Sequence, residues 1–393
     1  MRIAILTSGI LPVPAVQGGA AENLIDFYLE YNERHRLHDI TVYSIFHEAV
    51  RQHPALSSEV NHYEYIDTSS WWARCTKKLY HKIHGEEYYH YSIEYFLSQA
   101  IKRIEKQRFD IIILENRPGY ALKLKGRTNA QLIYHLHNDI LNSETSHHLE
   151  LYNAATTIVT VSDYIRQRVE TIQHNGSRTV AVTVHNGIDI NKFSIKKSQK
   201  TGSENFTLIF WGRITKEKGI KELIEAIALL QEYPQIHLLI IGSSFYGNNQ
   251  TDDAFTKELK RLSEPIKRRI TFTGFIPYDD IPQCLSQAEV AVIPSIWDDP
   301  FPTTVLEAQA AGLPIITTQR GGIPEEVGTD NAILLRTDDK FIENLAAAIL
   351  KLYKNPELRV SMSLASAKRA SLFNKDNYSR NFFKAIQGAT SLD

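Results

Sequence analysis

An α/β chain of two successive doubly wound units is what the sequence predicts, and three observations predict it. Apolar, strand-sized runs alternate with longer helical patterns from end to end, the signature of parallel sheets flanked by helices. The rhythm breaks once, in the polar and aperiodic INKFSIKKSQKTGSEN at 190–205, which reads as a linker or hinge loop, and then it restarts. At roughly 150 residues per domain, a chain of 393 residues calls for two or three domains.

In the first half the strands read RIAILTS (2–8), ITVYSI (40–45), DIIILE (110–115), QLIYHL (131–136), TIVTVS (157–162) and VAVTVHN (180–186). Short continuous apolar runs of this kind suit strands covered on both faces. Helical segments fall at about 20–36, 86–107 and 163–173. After the linker come FTLIFWG (206–212), HLLIIG (237–242), ITFTG (270–274), VAVIP (290–294), PIITT (314–318) and NAILLR (331–336). Helices lie between them near 219–232, 254–265, 279–287, 303–311 and 340–353. The expected division is 1–195 and 196–375, with a terminal helix at 376–393 crossing back to the first domain.

Composition excludes several classes of function. Lys plus Arg number 44 against 45 Asp plus Glu, so the chain is not a generally basic nucleic-acid binder. Its two cysteines, Cys75 and Cys284, are far apart and outside any CxxC, which removes a zinc ribbon or a disulfide framework. No apolar run approaches the ~18 residues of a membrane span. The opening MRIAILTSG is too short in its apolar part for a signal peptide, so a cytoplasmic enzyme is expected. Every histidine but His237 lies before residue 186. The closest pairs, His135-x-His137 and His147-His148, show no ligand-like clustering, and no metal is expected.

In doubly wound sheets ligands bind beyond the carboxyl ends of strands, so residues just after strands carry the chemistry. After the first strand, Gly18-Gly19 stands immediately before a helix, where a ligand can approach the backbone and free amides suit a phosphate. The loop lacks the GxGxxG spacing of a nicotinamide-binding fold. WGRITKEKG opens the second half and brings Arg213 and Lys218 near a helix start, a fork and a point charge suited to a diphosphate. PSIWDDPFPTTVLEAQAAGLPIITTQRGGIPE is the richest segment. There Pro300 and Pro302 force an extended loop after Asp299, and a helix opens at Thr303-Thr304 with amides facing an anion. Glu307, on its first turn, can accept two hydrogen bonds from a ribose diol, or merely complement the helix dipole. Gly321-Gly322 mark another loop against which a ligand packs.

These segments together resemble the retaining glycosyltransferases of family 4, which have the two-domain GT-B architecture of facing Rossmann-like domains. The resemblance covers essentially the whole chain and is most specific over 206–328. It rests on Gly18-Gly19, on His137-Asn138 after a later strand, and on the Asn186-Gly187-Ile188-Asp189 turn. It rests further on Gly212-Arg213 with Lys218-Gly219, on Asp299-Pro300-Phe301 through Leu306-Glu307-Ala308, and on Gly321-Gly322-Ile323-Pro324-Glu325. Three positions depart from the family pattern. Asp299 is shorter than the usual glutamate, Pro302 replaces a glycine, and Asn138 replaces an acid beside the histidine.

The resemblance implies sugar transfer from a nucleotide diphosphate with retention, without a divalent metal, since no DxD is present. It implies that Arg213 and Lys218 neutralise the departing diphosphate, aided by the amides of Thr303 and Thr304. Gly212 and Pro302 line the donor site, Glu307 holds the ribose, the backbone at Phe275 and Ile276 holds the base, and Asp299 with His137 reads the sugar hydroxyls. Asn138 and Asn186 are expected on the acceptor side of an interdomain cleft. UDP is the expected nucleotide because it is the family's commonest, and the acceptor is expected to be a glycan or a lipid-linked molecule in cell-surface polysaccharide synthesis. Rival readings are a sugar-nucleotide epimerase or phosphorylase on the same fold and a non-catalytic partner subunit. Finally, WWARCTKKLYHKIH at 71–84 carries four Lys or Arg and no acid. On a helix it places Trp72, Cys75, Leu79 and Ile83 on one face and Arg74, Lys77, Lys78 and His81 on the other, the layout of a segment lying in an anionic membrane interface.

Overall fold

A computed structural model describes residues 1–84, 95–173, 176–194, 205–244 and 252–388. The chain folds as two compact units, Met1–Asn186 with the C-terminal stretch from Lys375, and Gly187–Asn374. Each is built on one parallel sheet.

In the first unit the strands are β1 (Arg2–Leu6), β2 (Asp39–Ile45), β3 (Asn61–Ile66), β4 (Ile111–Glu115), β5 (Gln131–Leu136), β6 (Thr157–Thr160) and β7 (Val180–Thr183). Their spatial order is β3-β2-β1-β4-β5-β6-β7. Ile3 pairs with Ile40 on one side and Ile111 on the other, so the strand order reverses at β1 and β4. In the second unit β8 (Phe206–Trp211), β9 (Ile236–Ile241), β10 (Ile270–Gly274), β11 (Val290–Ile293), β12 (Ile315–Thr318) and β13 (Ala332–Leu335) run β10-β9-β8-β11-β12-β13. The reversal there lies between β8 and β11. Such switch points open a crevice at the carboxyl ends of the strands, which is where ligands bind in open α/β sheets.

The cores follow from the sequence pattern. Ile3, Ile5, Ile111, Ile113 and Ile133 are fully buried along the central strands of the first sheet. Helix Ala20–His35 covers one face with Leu24, Ile25 and Tyr28. Helix Lys375–Gly388 packs beside it, Phe382 stacking on Tyr28 at 4.4 Å between ring centroids. In the second unit helices Ile220–Leu229 and Phe341–Lys354 cover the sheet, with Leu223, Ile227, Leu345 and Ile349 in one cluster with Leu208 and Ile240.

Several details differ from the sequence reading, which also passed over helix Pro356–Ala370. β3 was not anticipated, because polar Asn61, His62 and Glu64 interrupt NHYEYI: among the described residues it is an edge strand, paired to β2. The helix expected at 86–107 spans Tyr95–Ile104, its expected start falling on 85–94, outside the described residues. The tract at 190–205 begins with a short helix, Ile190–Phe193, whose N-cap Asp189 accepts from the amides of Asn191 and Lys192; 195–204 lie outside the described residues. That helix belongs to the second unit, Phe193 packing edge-on against Tyr278 at 5.7 Å, so the division falls after Asn186 rather than after 195. Among the described residues, no helix is long and apolar enough to cross a membrane.

Candidate active site

In the second unit, the end of β8 and the end of β11 are brought to one place. The chain leaves β8 through Gly212-Arg213, makes a single turn at Lys216–Lys218 and reverses at Gly219, which is left-handed at φ 69°. A Cβ at Gly219 would come within 2.0 Å of the Pro294 carbonyl oxygen, so only glycine lets this loop lie on the end of β11. That approach seats Lys218 against the next segment. Its Nζ donates to Oδ2 of Asp299 at 2.5 Å and lies 5.8 Å from the centre of the Trp297 ring. Asp299 is buried and Lys218 only partly so. Arg213 is exposed nearby. Glu217 is held below the usual carboxylate range by its own N–H and the Thr215 hydroxyl, then by the charges of Arg213 and Lys218.

The glycine pair after β12 completes this wall. The Gly322 amide donates to the Asp299 carbonyl at 2.8 Å, and that of Gly321 to Oδ1 of Asp298 at 3.2 Å. A Cβ at Gly321 would meet the Asp299 carbonyl oxygen at 2.2 Å, which is why the turn can press on the DDP segment. Behind it lies Glu326, fully buried, whose carboxyl is pushed well up by burial and then by Asp299.

Glu307 joins three segments. The Trp211 indole donates to its Oε2 at 2.5 Å, and the hydroxyls of Tyr278 and Thr303 also reach it. Burial pushes its carboxyl up, against the pull of these donors. The end of β8, the loop after β10 and the start of helix Thr303–Ala310 thus converge on one carboxyl. Phe275 and Ile276 lie on the same loop as Tyr278, Phe275 exposed. Pro302 is buried as the helix N-cap, with Thr303 and Thr304 partly exposed just after it.

In the first unit, Gly18-Gly19 lead into helix Ala20–His35, and His137 follows β5. Here Glu115, the last residue of β4, is buried and unforeseen. Its Oε1 accepts from the Tyr28 hydroxyl at 2.8 Å. Its Oε2 lies 2.9 Å from Nε2 of His137 and 3.0 Å from Nδ1 of His135. Burial alone would raise the Glu115 carboxyl, but the two rings hold it down at about 2. Burial also lowers His137, which keeps the ring neutral near neutral pH. Glu22, in the first turn of the helix, has its carboxyl raised by burial in the same field. Asn138 is partly exposed and Asn186 buried.

The residues anticipated from sequence therefore form two groups, one on each unit. Gly18, Gly19, His137, Asn138 and Asn186 belong to the first, and Gly212, Arg213, Lys218, Phe275, Ile276, Asp299, Pro302, Thr303, Thr304 and Glu307 to the second. Sequence reasoning missed Trp211, Tyr278, Glu115 and Glu326. The one available signal was at Glu115, an acid closing an otherwise apolar strand.

Both sheets have the order of a dinucleotide-binding Rossmann unit, with chemistry-bearing side chains at each switch point, and two such units make a GT-B protein. Over residues 191–369 the chain matches the family described as glycosyl transferases group 1. Spore coat protein SA of Bacillus subtilis (strain 168) is 30% identical over 346 residues, covering 83% of either chain. YtcC of the same organism is 28% identical over 94% of this chain and 87% of its own. Among solved structures, Anabaena Alr3699/HepE in complex with UDP and glucose shares the fold with a TM-score of 0.73, at 20% identity over 98% of this chain and 99% of that one. The chain belongs to the group 1 glycosyltransferases, and it is an enzyme of that class.

Proposed function

We propose that the enzyme transfers a sugar from a UDP-sugar to a glycan or lipid-linked acceptor, with retention and without a metal, in cell-surface polysaccharide synthesis. The observation that carries this reading is the Lys218–Asp299 pair at the β8/β11 switch point, next to the Glu307 hub. A cation held there by a buried acid is poised for the diphosphate, and Arg213 adds a second charge at the same loop. Stabilising negative charge on a leaving group is commonly the largest contribution in such sites. Among the described residues the site's carboxylates are already engaged, Asp299 by Lys218 and Glu307 by Trp211, which favours same-face substitution, with the leaving phosphate accepting the acceptor's proton. Glu307 already accepts from Trp211, Tyr278 and Thr303, so it serves the ribose by shaping the pocket and exchanging one of these donors for a diol hydroxyl. UDP is favoured over other nucleotides by the UDP complex of a protein of the same fold.

The first unit supplies a route to a lipid-linked acceptor. Helix Trp71–His84 exposes Trp71, Trp72 and Leu79 at 66%, 68% and 60%, while Ala73 faces inward. Arg74 and Lys78 are exposed on the same helix. Apolar rings beside cations, near an anionic leaflet, favour a peripheral membrane contact at ~1 kcal/mol per Lys or Arg.

A thermal-shift screen of nucleotide sugars tests the donor: a ligand at 100 times its Kd stabilises by ~2.7 kcal/mol, and UDP-sugars should lead. NMR of the product's anomeric signal tests retention, in buffer with a chelator. Vesicle flotation at low and high salt tests the membrane contact, which Lys77→Glu/Lys78→Glu should abolish.

A further inference from the structure

His135 on β5 and His137 just past its end stand two apart in the chain, and their rings come together on one side. Their rings lie 4.2 Å apart and share one carboxylate. With Tyr28 on its other oxygen, Glu115 is surrounded by three groups, each of which must donate to it. An ionised carboxylate only accepts, so the ring nitrogens facing it carry their protons. For neutral His137 that places the proton on Nε2 and leaves Nδ1 as a lone pair. The two outer ring nitrogens then differ. His135 Nε2 is sealed in, its ring packed on Phe382 at 4.9 Å, and has no hydrogen-bond partner among the described residues. His137 keeps 8% of its side chain exposed, just beyond the end of β5, and its Nδ1 makes no hydrogen bond among the described residues.

We propose that Glu115 is a positioning residue that fixes His137 as its Nε2–H tautomer, so that the ring offers Nδ1 as a hydrogen-bond acceptor to a hydroxyl of the substrate. This rests on the reading of His137 as a group that faces substrate. It adds what the ring selects: a hydrogen-bond donor at that position, and not an acceptor. Glu22, in the first helical turn, is near enough for its charge to act on His137. The three ligand-type atoms of Glu115, His135 and His137 lie within 4.8 Å of one another, a spacing that a metal ion also accepts. Each is already satisfied by its neighbour at hydrogen-bond distance, so the cluster is complete without an ion.

The isosteric variant Glu115→Gln separates the roles. Tyr28 must donate to the amide oxygen, which turns the NH2 toward the two rings. Now the amide donates, and His137 has to accept at Nε2 and carry its proton on Nδ1. Long-range proton–nitrogen spectra of the full chain labelled with 15N-histidine read this directly, with His137→Gln supplying the assignment. In the wild type His137 should show Nε2 protonated and Nδ1 bare; in Glu115→Gln the two should exchange. Transfer kcat/KM should fall tenfold or more in Glu115→Gln, while UDP affinity and melting temperature stay near wild type. A wild-type His137 protonated at Nδ1 overturns the proposal, whether or not the variant folds. So does an exchanged tautomer with undiminished kcat/KM. Stoichiometric zinc that moves these ring signals when removed by chelator also overturns it, in favour of a metal centre. If His137→Ala transfers sugar at the wild-type rate while the tautomers are as stated, the substrate contact falls and Glu115 keeps a structural task only.

Discussion

At the scale of single residues, the Lys218–Asp299 pair gives the sharpest expectations. Arg213→Ala and Lys218→Ala should each lower kcat/KM at least tenfold, about 1.4 kcal/mol of transition-state stabilisation, with the fold intact by circular dichroism. Arg213→Lys should not restore activity, since the planar fork is lost. Asp299→Asn removes the anion that Lys218 now faces at 2.5 Å. UDP should therefore bind this variant more tightly in calorimetry while kcat falls; a parallel loss of both would make Asp299 a purely structural anchor. Asp26 offers a pH test. Burial raises its carboxyl from 3.8 to about 7, although the Ala15 amide donates to it at 2.8 Å. The folded state thus binds this proton more tightly than the unfolded chain, so the contribution is present below about pH 4 and is lost as pH rises to about 7. In Asp26→Asn, urea midpoints should decline less over that window. Arg213, Lys218 and Asp299 follow strand ends closely and Glu307 lies in the helix that comes next, so their placement in the second unit was legible from local pattern. Trp211, Tyr278 and Glu115 were not, because their roles are set by partners brought from elsewhere: Trp211 meets Glu307 across 96 positions and Glu115 meets Tyr28 across 87.

At the scale of elements, central strands were read nearly to the residue, DIIILE at 110–115 and QLIYHL at 131–136 among them, since burial on both faces leaves a largely apolar run. Edge strand β3 escaped for the opposite reason, its Tyr63 and Tyr65 being interleaved with polar residues. Helix Lys375–Gly388 is the element on which the first unit leans. Phe382 is fully buried between Tyr28 and His135, and Arg34 is ion-paired with Asp376 at the helix start. Phe382→Ala should destabilise the first unit by ~3–5 kcal/mol, read as a lower urea midpoint with an unchanged slope. Asp376→Ala, whose pair is half exposed, should cost less than about 1 kcal/mol.

At the scale of the whole molecule, the two units are unequal in chain continuity. Gly187–Asn374 is one unbroken stretch with its own sheet and core, whereas the first unit is assembled from both ends of the chain. A fragment of 187–374 should accordingly fold alone and bind UDP, and a fragment of 1–186 should not show a cooperative transition; calorimetry of the two decides it. The same asymmetry governs birth on the ribosome. When Asn186 emerges, the sheet of the first unit is complete, yet Tyr378, Phe382, Phe383 and Ile386, which close its core, are untranslated. At ~5–20 residues per second the intervening unit takes roughly 10–40 s to synthesise. Through that interval the nascent N-terminal sheet presents a raw greasy face around Tyr28, a natural client for a ribosome-bound chaperone. The part made second is thus the first that can finish folding.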